Sequence, residues 1–235
     1  MEEERRTITQ ERERVEGVMR EEEREVAPFV AGGSVVEVIS GVAAVVLSIL
    51  GLLNVFPMMM MSVAVLAIGA GLLIGGGAMS ASFSRLLVSS DAPATVQSAQ
   101  TVAGGMALEA LIGAGGVALG ILALLDTVPM TLIPIAVIAY GAAFLMASGT
   151  TARINDLFMR YGGTPERMRR IMQEAGAASS GVEILVGLGA VVAGILAIAG
   201  YAPQVLMLSA TLALGAAMLL SRTTIAGRLL KILNR

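Results

Sequence analysis

Past residue 28 the chain is a series of long apolar runs separated by short polar breaks. Six runs stand out, at about 29–54, 58–77, 102–125, 129–149, 177–200 and 203–221. Crossing a hydrocarbon core of about 30 Å takes roughly 20 helical residues, and each run meets that length. Within pairs, the runs are joined by very short links: Asn54-Val55-Phe56-Pro57, Asp126-Thr127-Val128-Pro129 and Gly200-Tyr201-Ala202-Pro203. Proline cannot continue the preceding helix but fits the first turn of the next one. Each link therefore predicts a tight turn between antiparallel helices, and the chain reads as three helical hairpins in series.

The hairpins repeat one another. Glu37, Glu109 and Glu183 are the only acids in the odd-numbered runs. Four residues after each stands a glycine, Gly41, Gly113 or Gly187, and twenty residues after each stands the turn proline, Pro57, Pro129 or Pro203. Twelve residues beyond each proline comes a second glycine, Gly69, Gly141 or Gly215. The period is nearly constant, from Glu37 to Glu109 and from Glu109 to Glu183. Each hairpin starts and ends on the same side, so the repeats are parallel and not inverted. The expected fold is all-α integral membrane, with six transmembrane helices as three tandem parallel helical-hairpin repeats. Residues 1–27 form a charged cytoplasmic N-terminal helix, and the repeats occupy 28–90, 91–162 and 163–235. Asp91-Ala92-Pro93 and Thr164-Pro165-Glu166 supply helix starts on the cytoplasmic side.

One pattern within the repeat carries a family resemblance. Gly-Ile-Leu-Ala-Leu at 120–124 is followed by Pro129 and Gly141. It recurs at 194–198 with Pro203 and Gly215, and more loosely at 48–52 with Pro57 and Gly69. The pattern resembles the short tandem hairpin repeat of the HdeD-like acid-resistance membrane proteins, over roughly residues 38–225. That resemblance implies a six-span inner-membrane protein of stress type, with no catalytic residues to carry over. The long charged N-terminal tail is a departure from the simplest members.

Composition agrees with a membrane protein. Of 235 residues, 56% are hydrophobic and 14% charged, with no Cys and no His. Ordinary soluble domains carry about 25% charged residues. So much apolar surface excludes a disordered chain. Without Cys a disulfide framework is excluded, and without Cys or His the usual zinc, haem and iron–sulfur sites are not expected. Charge placement sets the orientation. All 16 basic residues fall in the two tails or in the connections at 78–101 and 150–176, and none in the three short turns. The positive-inside rule then puts both termini in the cytoplasm, and the resemblance implies the inner membrane of a bacterial or archaeal cell. The first 27 residues lack an apolar stretch that would read as a signal peptide.

Stepping at helical spacing from each glutamate gives a small-residue face: Gly33, Glu37, Gly41, Ala44, Ser48, then Gly105, Glu109, Gly113, Gly116, Gly120, then Ser179, Glu183, Gly187, Ala190, Gly194. Such faces let helix backbones approach closely in lipid, within the chain or between copies. The glutamates lie about 30 Å from their outer prolines, near the cytoplasmic edge of the hydrocarbon. The returning helices bring hydroxyls and one Arg toward that depth: Ser80, Ser82 and Arg85, then Thr150, Thr151 and Arg153, then Arg222, Thr223 and Thr224. Two readings stand. The carboxylates pair with these groups and tie the hairpin arms together, or they line the inner mouth of a proton or cation path.

The remaining signals are weaker. Met58 to Met61 could offer thioethers to Cu(I), but Met is also a flexible apolar filler and no Cys or His assists. The tail carries ten acids and six Arg in its first 27 residues, which reads as a solvated helix or as a helix that docks in an assembly. Its net acidity gives no attraction to nucleic acid. Arg167, Arg169 and Arg170 lie where inner-leaflet lipids would meet them. No nucleophile–base pair or phosphate-binding loop can be assembled, so no enzyme, cofactor or metal is expected. The expected partners are membrane lipids and either further copies of the chain or a larger membrane complex that it scaffolds.

Overall fold

The computed structural model describes the backbone of residues 35–88, 93–161 and 166–233, with side chains over most of 35–80, 104–149 and 181–220. The tail at 1–27 lies outside the described residues. Six helices follow: α1 over Val35–Leu52, α2 Pro57–Val88, α3 Pro93–Leu124, α4 Pro129–Tyr161, α5 Glu166–Ile198 and α6 Pro203–Leu233. All six are long and apolar enough to span a membrane. Helices α2 to α6 run for 31 to 33 residues. At about 1.5 Å per residue that is roughly 50 Å, well past a hydrocarbon layer of about 30 Å.

The three short turns within the hairpins share one construction. Asn54, Asp126 and Gly200 leave the helix with φ of 64°, 60° and 88°. Each donates its N–H three residues back, to Gly51, Ala123 and Ala197, at 3.0, 3.2 and 3.0 Å. The next residue donates five back, Val55 to Leu50, Thr127 to Leu122 and Tyr201 to Leu196. These paired bonds close the carbonyls of the helix end around a left-handed residue. The residue before each proline also has positive φ, at Phe56, Val128 and Ala202. Its carbonyl accepts from the amide four residues on, Met60, Leu132 or Leu206, and Val128 also accepts from Thr131.

The hairpins form two layers. Even helices sit at the centre, with 44–50% of their spanning windows buried, against 22–33% for odd helices. Helices α2, α4 and α6 each touch the other two, while among the described residues α3 and α5 do not meet. The central face recurs at the same four positions counted from each proline. Met61, Ile133 and Met207 occupy the first level, and Val65, Val137 and Thr211 the second. Ile68, Tyr140 and Leu214 follow, then Leu72, Phe144 and Met218. All twelve side chains are buried. The alternating steps of four and three are those of helices that wind around a common axis. Of the four consecutive methionines, Met61 enters this core and Met59 is exposed, so they diverge around their helix.

Each odd helix packs closely on the even helix of the preceding repeat. A Cβ built on Gly113 would lie 2.7 Å from the Gly69 carbonyl oxygen, and one on Gly187 would lie 2.7 Å from that of Gly141. A Cβ on Gly41 would lie 3.0 Å from the carbonyl oxygen of Gly215. The third contact joins the first helix to the last. The three repeats thus close into a ring with approximate threefold symmetry, and the six glycines are its seams.

Candidate functional site

The glutamates lie one helical turn before their seam glycines, so the ring sets all three at one level. There Glu37, Glu109 and Glu183 line a single cavity of about 30 Å³ together with Leu72, Phe144, Ala147 and Met218. Its floor is the fourth level of the central core. A cavity of this size admits one or two water molecules.

The three carboxyls are not equally placed. Glu37 is 1% exposed, Glu183 is 9% exposed and Glu109 is half-buried. Glu37 sits against a glycine of its own hairpin. The Glu37 carboxyl occupies the space that a Cβ on Gly75 would fill. The matching position in repeat 2 is Ala147, which lines the cavity. Each of the three glutamates takes part in polar or electrostatic interactions, and so does Ser80. The side chains of Ser82, Arg85, Thr150, Thr151, Arg153, Arg222, Thr223 and Thr224 lie outside the described residues. Among the described residues, no group of three or more His, Cys, Asp or Glu could hold a metal ion.

Comparison with protein-family models, curated proteins and solved structures finds no match.

Two buried polar contacts escape the repeat pattern. The Tyr140 hydroxyl donates to the Val65 carbonyl at 2.7 Å, across the centre from α4 to α2. Gly116 and Gly69 leave the room for that ring and hydroxyl, since a Cβ on either would run into Tyr140. The Ser48 and Thr211 hydroxyls lie 2.8 Å apart between α1 and α6. Thr211 uses its proton on the Met207 carbonyl of its own helix, at 2.9 Å. Ser48 is therefore the donor between the helices. A reading by repeat position carries a signal for both: Tyr140 aligns with Ile68 and Leu214, and Thr211 with Val65 and Val137, so each is a polar group at an otherwise apolar position.

Proposed function

We propose that this chain is a non-enzymatic, multi-pass protein of the bacterial or archaeal cytoplasmic membrane, with both termini cytoplasmic. It acts through a packed helical bundle and its assembly in the membrane, as its resemblance to the HdeD-like stress proteins implies. One observation carries the reading. Below the glutamates the central axis is filled for four successive levels by repeat-equivalent side chains, from Leu72, Phe144 and Met218 to Met61, Ile133 and Met207. A bundle filled in this way favours a solid assembly over an open pore. The test is proton and potassium flux into liposomes that contain the purified protein, from neutral to acidic pH. The expected rate equals that of empty liposomes, and a protein-dependent leak overturns the reading.

The shared cavity favours one second reading, a proton-exchanging site within a pathway. Carboxyl groups that line one small cavity can pass protons among themselves and to any water that enters. Under this reading the E37Q/E109Q/E183Q variant assembles normally and loses a measured proton leak. Under the leading reading there is no leak to lose, and the triple change lowers bundle stability instead.

A further inference from the structure

The short turns leave large apolar side chains uncovered. Leu53 and Phe56 in the first, Leu125 and Val128 in the second, and Tyr201 in the third are 62–74% exposed. Asp126 is the one charged residue across 53–56, 125–128 and 199–202. A turn that faces water is built instead from Gly, Asn, Asp and Ser. Phe56 and Val128 even hold positive φ, of 41° and 44°, where a bulky side chain costs backbone energy. The backbone is closed as lipid requires, since there every N–H must find its partner within the protein. Asn54 and Val55, Asp126 and Thr127, and Gly200 and Tyr201 all donate back into the helix they leave. The next helix then starts with a proline, which has no N–H to satisfy.

The opposite end fixes the depth. The first charged residues along the even helices, Arg222, Arg153 and Arg85, stand 19, 24 and 28 residues beyond Pro203, Pro129 and Pro57. That is about 29, 36 and 42 Å of helix. The glutamates of the odd helices lie about 30 Å from the same prolines. A hydrocarbon layer of about 30 Å fits between the prolines and these charges, with no slack in the third repeat. If the turns stood about 10 Å clear in water, the same layer would take in Arg222, Arg153 and all three glutamates. We propose that the three hairpin tips are immersed in the leaflet they reach, at the boundary of headgroups and acyl chains, and that lipid is the partner of their exposed apolar side chains. The headgroup zone adds about 5–7 Å on each side of the hydrocarbon, enough to cover a turn of a few residues. Tyr201 suits that level, where tyrosines collect with an apolar ring in lipid and a hydroxyl at the headgroups. The placement does not depend on which way the bundle faces. It leaves the end that carries the arginines as the one that meets water-soluble partners.

The chain has no Trp, so a single one reports its own position. Full-length F56W and Y201W, which replace exposed aromatic side chains on two different turns, are reconstituted in phosphatidylcholine liposomes. Their emission is read against lipids brominated near the headgroup or near the chain end, and against iodide on both sides of the bilayer. Both variants should lose most of their emission to the shallow bromines, less to the deep ones and little to iodide. Strong quenching by iodide puts the tips in water and overturns the proposal. Protection from iodide and from both brominated lipids means that protein covers the tips, and overturns it too. Stronger quenching by the deep bromines than by the shallow ones overturns the stated depth.

Discussion

Gly187 and Gly189 stand two residues apart on α5 and should respond in opposite ways to alanine. A Cβ on Gly187 would lie 2.7 Å from the Gly141 carbonyl oxygen and 3.0 Å from Leu145 Cγ. Carbon and carbonyl oxygen in good contact sit about 3.3–3.6 Å apart, so the shortfall exceeds roughly half an ångström. The obstacle is backbone, so no rotamer relieves it, and α5 must move away from α4. A gap of about 0.5–1 Å forfeits about a quarter to a half of each dispersion contact along the seam. Overpacking of this kind costs about 1–3 kcal/mol. A Cβ on Gly189 meets nothing within 4 Å, and G189A should stay within about 0.5 kcal/mol of wild type. The same argument ranks the three seams. G41A, with its nearest backbone contact at 3.0 Å, is the mildest, and G187A is intermediate. G113A is the most severe, because its Cβ would also press on the Leu73 amide nitrogen. The assay is unfolding in mixed micelles at rising SDS fraction, followed by helix content. Equal stability of G187A and G189A, or a reversed ranking of the seams, would refute the close-packed ring.

Three further outcomes follow from local geometry, each read in the same unfolding assay. Y140F removes the bond to Val65, whose carbonyl also belongs to the α2 helical ladder, and should cost about 0.5–1.5 kcal/mol. G200A places a Cβ on a residue with φ of 88° and should cost about 1–2 kcal/mol, whereas N54G relieves the equivalent residue and should be neutral or stabilising. G75A evicts the Glu37 carboxyl from its niche and should destabilise the bundle, while G77A, with nothing within 4 Å of the added carbon, should not.

The number of spans, their pairing into hairpins and the turn prolines are legible because each leaves a mark within a few residues. The even helices begin at Pro57, Pro129 and Pro203, and α3 and α5 begin at Pro93 and Glu166, where the cap residues point. The six glycines are legible as packing positions, but their partners are not. Gly41 finds Gly215 at the other end of the chain, a contact that no local spacing encodes. The central face of the even helices is hidden for another reason. In a membrane, lipid and protein core are equally apolar, so a helix carries hydrophobic residues on every side. Ile74 and Leu73 face outward and Leu72 faces inward on the same helix. Burial there follows from register alone, and register becomes visible only when positions are counted from the prolines.

That register is also why the glutamates converge. Each lies four residues before a seam glycine, hence about one turn away along the same helix face. Each seam presses that face against an even helix of the central trio. Three odd helices held by one contact, at one height, around one axis must bring equivalent side chains to one place. The contact of the Glu37 carboxyl with the Gly75 niche lies within one hairpin, between α1 and α2. It does not account for the shared cavity, which needs the ring to close through α1 and α6. The two features make different demands. The niche at Gly75 depends on one hairpin, while the meeting of Glu37 with Glu109 and Glu183 depends on the seam that carries Ser48 and Thr211. A change at the seam should therefore disperse the three carboxyls and leave Glu37 beside Gly75.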